Sequence, residues 1–202
     1  MPARAKLDTM TSALRKPMTF SQFLDWEAVQ PLRYEYDGFR PVAMTGGTGA
    51  HSAIQGNLAV SLRGRLRGRP CQFHGSDFKV EVAGRIRYPD GFVVCTPVAG
   101  DSTVARDPVV IFEVLSESTA TTDYGTKNEE YAATPSVRRY IILSQSKISG
   151  TMFERIGDDW IGHLLSAESI LRMPEIGIEV PLAELYVDVD LSPAAENGSA
   201  GR

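Results

Sequence analysis

Asp90, Glu113 and Lys127 are the residues of this chain whose types and spacing could do chemistry together. Glu113 stands inside residues 109–115, a run whose other members are all apolar and mostly β-branched or aromatic. As a strand, such a run has no polar face and is covered on both sides. An ionised carboxylate there costs several kcal/mol unless it has a partner. Glu113 is therefore paired with a cation or a metal, or its pKa is displaced; a structural carboxylate satisfied by backbone donors or an arginine is the bland alternative. By itself, Asp90 before Gly91 reads as a turn carboxylate. With Glu113 in the next strand it reads as one half of a cation site, because adjacent strands bring two carboxylates to one ion. Mg²⁺ takes oxygen ligands, usually one or two protein carboxylates, with water and phosphate completing the shell. Such an ion polarises a phosphoryl oxygen and lowers the pKa of an attacking water. Lys127, on a helix that follows Glu113, can orient that water or stabilise charge in the transition state.

Several further residues have two readings. His51 shares the apolar stripe of a helix at its N-terminal end: it is a satisfied structural histidine, or it faces the site from the helix terminus. The stretch Gly46-Gly47-Thr48-Gly49 lacks the Lys-Ser/Thr of a phosphate loop and is not followed as a nucleotide motif. The run from Arg63 to Arg69, with Arg65 and Arg67 between, is a solvated helix end that complements the helix dipole. It is also the best local candidate for contacts to a nucleic-acid backbone, through Arg65, Arg67 and Arg69.

These residues sit in a chain of 202 residues with 43% hydrophobic and 23% charged residues, the size and balance of one globular domain. Its net charge of −4 gives no bulk attraction to nucleic acid, so any such binding requires a local patch. Cys71 and Cys95 form no CxxC pair, which argues against a zinc site and against a secreted disulfide scaffold. No apolar run approaches the roughly 20 residues needed to span a bilayer, and no apolar signal core follows the charged N-terminus. The expectation is a cytoplasmic protein that does not engage membrane.

The elements that must position the site follow from pattern. Residues 1–17 read as a flexible tail, 18–187 as one domain and 188–202 as a disordered tail. Thr19 with Gln22 is a capping box opening a first helix that stops before Pro31. Asp37-Gly38 between alternating runs is a hairpin turn. Thr48 caps a helix over 49–66, striped by Ile54, Leu58, Leu62 and Leu66. Strands follow at 76–82, 87–95 and 109–115, the second disturbed by Pro89. A helix after Asp123 carries Tyr124, Lys127, Asn128 and Tyr131 on one face. A strand at 138–144 returns parallel to 109–115 through a right-handed crossover. A hairpin turning at Gly157-Asp158-Asp159 and a Pro181-started helical turn close the domain. The class is α/β with a mixed sheet, its core ordered helix-strand-strand-strand-helix-strand.

Within that order, short motifs resemble one family. They are Met18-Thr19-Phe20 with Trp26-Glu27, Arg33-Tyr34-Glu35-Tyr36-Asp37-Gly38, Gly75-Ser76-Asp77-Phe78-Lys79-Val80, Tyr88-Pro89-Asp90, Glu113-Val114-Leu115-Ser116, and Asp123 with Lys127 and Tyr131. Together they make the chain similar to the Uma-two family within the PD-(D/E)XK nuclease superfamily. The resemblance implies a restriction-endonuclease-like core and a metal-dependent endonuclease acting on nucleic acid, with DNA the expected substrate. It implies Asp90 and Glu113 as ligands of Mg²⁺, with Mn²⁺ as an accepted substitute, and an assembly that can be a homodimer. The superfamily's lysine, two residues after the Glu, is here Leu115. Lys127 is the first substitute and Lys79 the second; Asp77, His51 and Glu35 are accessory members. The displaced lysine and the negative net charge also support a second reading, a nucleic-acid-binding or accessory protein that keeps the nuclease-like scaffold without cleavage.

Overall fold

The computed structural model of the chain describes residues 17–44, 46–115 and 120–191. The expected tails therefore fall almost wholly outside the described residues, as does the loop at 116–119. Helix α1 (Phe20–Glu27) opens on the predicted capping box: Thr19 Oγ1 accepts from the Gln22 N–H, and Gln22 Oε1 accepts from the Thr19 N–H at 2.9 Å. Strands β1 (Tyr34–Tyr36) and β2 (Pro41–Ala43) pair around Asp37-Gly38. Gly38 has φ +94°, which side-chain-bearing residues avoid. Asp37 Oδ1 accepts the N–H groups of Phe39 and Arg40. Helix α2 (Gly49–Leu66) starts at its Thr48 cap and buries the stripe Ile54, Leu58, Leu62 and Leu66.

The middle of the chain departs from the pattern reading. Strands β3 (Gln72–Gly75), β4 (Lys79–Val82), β5 (Arg85–Arg87) and β6 (Gly91–Val94) replace the two long strands expected over 76–82 and 87–95. β3 was not expected, and it supplies the first strand of the core. The segment expected as one strand at 87–95 is split between two sheets, with Tyr88-Pro89-Asp90 crossing between them. Pro89 has no N–H to give a ladder, so pairing breaks there. After the short β7 (Val104–Ala105) comes β8 (Pro108–Leu115). Helix α3 follows in three segments: Ala120–Thr122, a π-helical stretch Asp123–Lys127, and Asn128–Ala132. Then come β9 (Arg139–Ser144), β10 (Gly150–Ile156), β11 (Asp159–Leu165), β12 (Ile170–Met173), β13 (Ile178–Pro181) and a 3-10 turn at Leu182–Tyr186.

Among the described residues a six-stranded sheet runs β11-β10-β9-β8-β6-β3, and a five-stranded sheet runs β2-β1-β5-β4-β7. β8 pairs antiparallel with β6 and parallel with β9, so the crossover through α3 joins β8 to its parallel neighbour. The core order is thus α2-β3-β6-β8-α3-β9, the expected helix-strand-strand-strand-helix-strand. β8 is covered on both faces. Val110, Phe112 and Val114 pack toward α2 and the β12–β13 hairpin; Ile111 faces Tyr131 of α3 and Val80 and Val82 of β4. Full burial of each such side chain contributes about 1.5–3 kcal/mol. A single unpaired charge in β8 would cancel the gain from two of them.

Cys71 and Cys95 are joined by a disulfide. Spacing alone hides this pairing: the residues are 24 apart in sequence, but the antiparallel β3–β6 register (Gln72 opposite Val94) sets them side by side. No helix among the described residues is long and apolar enough to cross a membrane.

Gly91 leads directly from Asp90 into β6, and the Phe73 ring lies close against it: a Cβ there would sit 2.6 Å from the ring. Gly91→Ala must displace Phe73 or the strand. It is expected to cost about 1–3 kcal/mol in urea-induced unfolding, whereas Gly64→Ala, which meets nothing within 4 Å, should change stability little or raise it.

Candidate active site

Asp90 is at the crossing between the two sheets, and three donors fix its carboxylate. His51 Nε2 lies 2.9 Å from Oδ1, Gln55 Nε2 donates to the same oxygen at 2.5 Å, and the Val114 N–H donates to Oδ2 at 2.5 Å. His51 and Gln55 are four residues apart, so they project from one face of α2 in consecutive turns. The third donor is backbone from β8, next to Glu113. Asp90 is thereby clamped between a helix and a strand that are far apart in sequence.

Glu113 alternates out of the α2-facing row of β8, and α3 meets it from the other side. Lys127 Nζ donates to Glu113 Oε1 at 2.8 Å and the Tyr131 hydroxyl donates to it at 3.1 Å. Lys127 Nζ also lies 3.2 Å from Asp123 and 3.7 Å from Glu35. All of these groups are nearly or fully buried apart from Glu35, which is slightly exposed. The π-helical stretch makes the convergence possible. Asp123, Lys127 and Tyr131 are spaced by four, and in an ordinary α-helix two such steps drift by about 80° around the axis. A wider turn between Asp123 and Lys127 takes up part of that drift and keeps the three on one face. The same phase change removes Tyr124 from the expected face: it is 43% exposed and bonds Thr151, while Asn128 accepts from Trp160.

One ammonium therefore serves several carboxylates. Burial pushes the Glu113 carboxyl up to about 8 against the pull of Lys127, and the charges of Asp90, Asp123 and Glu35 add to the rise. Lys127 is held well above its ordinary range: Glu113, Glu35 and Asp123 outweigh the burial that works against its charge. Burial and Glu113 also raise the Tyr131 hydroxyl, so it remains a donor. The site has a surplus of negative charge, all of it on oxygen, which suits a hard divalent cation. Among the described residues no group of three or more His, Cys, Asp or Glu side chains is arranged to hold a metal. A cation here would rest on Asp90 and Glu113, with water and phosphate completing its shell. Glu113 offers Oε2 for this, since Lys127 and Tyr131 both bond Oε1.

Asp90, Glu113, Lys127, His51 and Glu35 line one cleft of about 590 Å³, with Gln55, Arg33, Ser76 and Tyr88. Glu35 Oε1 accepts the Tyr88 N–H, and its other oxygen meets Arg87, itself doubly bonded to the buried Glu130. The structure does not bring every expected residue here. Lys79 is buried against Glu27 at 2.6 Å, in the other sheet from Glu113. Asp77 is exposed outside the cleft lining. Arg65 makes a two-pronged ion pair with Glu184, and Arg69 donates to the Gly177 carbonyl. Pattern reading passed over Gln55 and Arg33. Gln55 was visible only as the residue one turn beyond His51, and the exposed Arg33 only as the neighbour of the Glu35 hairpin strand.

Comparison with known proteins agrees with this architecture. The family described as "Uma2: Putative restriction endonuclease" matches residues 20–183. An uncharacterized protein of Synechocystis sp., slr1290, is 30% identical over 169 residues, covering 82% of this chain and 89% of that protein. A second from the same organism, sll1609, is 25% identical over 158 residues, covering 75% and 89%. A solved structure from Anabaena variabilis, described as a "putative nuclease belonging to DUF820", superposes with a TM-score of 0.69 at 14% identity, covering 85% of this chain and 98% of that one.

Two measurements check the charge arrangement. Lys127→Met leaves Glu113, Asp123 and Glu35 without their shared cation and is expected to lower unfolding free energy by about 3–5 kcal/mol. The raised Glu113 means that, between about pH 4.5 and 8, the folded protein holds a proton the unfolded chain has released. In EDTA, Glu113 should therefore make stability fall as pH rises through that window, and urea melts of Glu113→Gln should lack this component.

Proposed function

The chain belongs to the Uma2 family, and on that premise we propose that it is a nuclease hydrolysing phosphodiester bonds of nucleic acid, DNA first, with Mg²⁺ or Mn²⁺ held by Asp90 and Glu113. The observation that carries this reading is the convergence of two buried carboxylates and a lysine, from three separate elements, on one open cleft. A divalent ion bound there supplies polarisation of a phosphoryl oxygen and a water acidic enough to attack at neutral pH.

The chain's own residues do the rest. His51, Gln55 and the Val114 N–H hold the Asp90 carboxylate in one orientation, so that no reorganisation is needed when substrate arrives. Lys127 and Tyr131 hold Glu113 through one oxygen, Oε1, and neither bonds Oε2. Lys127 fills the role that Leu115 cannot, bringing a positive charge to the carboxylate pair from the helix rather than from the strand. Arg33, whose guanidinium stacks 5.9 Å over the Tyr88 ring and bonds the Ser76 carbonyl, is the cleft's exposed cation and is placed to meet a non-bridging phosphate oxygen.

One observation favours a second reading, a binding protein without cleavage: the lysine is boxed in by carboxylates instead of standing free beside them. One experiment decides between the two. Plasmid and single-stranded DNA are incubated with the full chain in Mg²⁺ or Mn²⁺, beside Asp90→Ala, Glu113→Ala, Lys127→Arg and Lys79→Ala, each checked for folding by circular dichroism. Cleavage should fall at least 100-fold in the first two, survive in part in Lys127→Arg, and change least in a folded Lys79→Ala. Cutting that persists in Asp90→Ala and Glu113→Ala would overturn the site. DNA binding without cutting by the wild-type chain would establish the second reading.

A further inference from the structure

The arginine run at the end of α2 and the unexpected strand β3 build a second cavity, of about 480 Å³, separate from the cleft. Arg63, Arg67, Arg69, Gln72 and His74 line it. Its charged lining is wholly basic in a chain of net charge −4. The helix dipole does not account for this. The C-terminal end of a helix carries about half a negative charge; Arg63 and Arg65 both stand in that last turn, Arg65 tied to Glu184, and Arg67 and Arg69 follow the helix. Arg69 is anchored through one nitrogen to the Gly177 carbonyl. Arg63 and Arg67 remain: both are exposed, and among the described residues neither forms an ion pair. Sequence pattern assigned the backbone contacts to Arg65, Arg67 and Arg69; the packing withdraws Arg65 and puts Arg63 in its place.

β3 connects this cavity to the cleft. Its Gln72, Phe73 and His74 line the cavity, and Ser76, just beyond its end, lines the cleft beside Arg33. β3 is also an edge of the six-stranded sheet, so nothing in that sheet covers its outer side. Four residues of strand span about 13 Å, close to four nucleotide steps along one strand of duplex at about 3.4 Å each. Resting on the nuclease reading of the cleft, the geometry points to the Arg63–Arg67 cavity as a phosphate-binding subsite for the same nucleic-acid strand, a few nucleotides from the scissile bond. A small mononucleotide would reach only one of the two sites; a polynucleotide tracking along β3 reaches both.

The test reads binding without cleavage, so it is independent of whether the cleft cuts. Fluorescein-labelled DNA, as single strands of 3 to 20 nucleotides and as a 20-base-pair duplex, is titrated with the full chain in EDTA across a salt series. The proteins compared are wild type, R63A/R67A and R63K/R67K. Both positions are exposed, so the variants should fold, which circular dichroism checks. For the 20-mers, R63A/R67A should raise Kd about 10-fold or more near 100 mM salt, and should flatten the log Kd against log salt slope for the duplex by nearly 2. R63K/R67K, which keeps the charges, should restore most of both. Unchanged affinity and slope in R63A/R67A would overturn the subsite, as would no DNA binding by the wild type at 50 mM salt. Cleavage absent from the wild type, with the arginine effect intact, would sink the nuclease reading of the cleft and leave a nucleic-acid-binding surface.

Discussion

One buried ammonium facing too many carboxylates is the interaction on which the rest of the structure depends. Lys127 contacts Glu113, Asp123 and Glu35, and the charge of Asp90 is felt at Glu113 as well. Burying several charges around one counter-charge is destabilising unless each is tightly bonded. The fold meets that demand from every direction. Tyr131 supports Glu113, the Tyr88 backbone supports Glu35, and a helix face and a strand N–H support Asp90. The surplus that remains is what a bound cation would neutralise, so the strain of the metal-free site and its suitability for a metal have the same origin.

The two sheets meet where that charge is concentrated. Tyr88-Pro89-Asp90 carries the chain from β5 to β6, and the missing N–H of Pro89 is what ends one ladder before the other begins. A carboxylate at such a crossing has no strand neighbour on its own ladder, which leaves it free to accept from Val114, His51 and Gln55. Buried Arg87, at the end of β5, fills the equivalent position on the other sheet and holds Glu130 and Glu35. The cleft is bounded by these two sets of bonds.

Much of this was legible locally. The Thr19 and Thr48 caps, the Asp37-Gly38 hairpin, the stripe of α2 and the doubly covered β8 are all statements about neighbours within a few residues, and each has its own chemistry. The core order and family resemblance were legible too, because they rest on the sequence of elements. What escaped was long-range. β3 is four residues with mixed polarity, too short to carry a period. The division of 87–95 between two sheets depends on partners, as does the Cys71–Cys95 pairing. The fates of Lys79 and Arg65 were decided by the carboxylates waiting for them, Glu27 and Glu184. The π-helical stretch was invisible because a pattern at spacings of three and four presupposes an α-helix, and that assumption put Tyr124 on the wrong face.

The 3-10 turn at Leu182–Tyr186 gives the order of synthesis a meaning. Leu182 and Leu185 close the apolar face of α2, Glu184 grips Arg65, and Asn57 donates to the carbonyls of Leu185 and Val187. α2 is seated by residues more than a hundred positions after it in the chain, and His51 and Gln55 depend on that seating to hold Asp90. A nascent or C-terminally truncated chain carries every residue of the cleft without the support that aligns them.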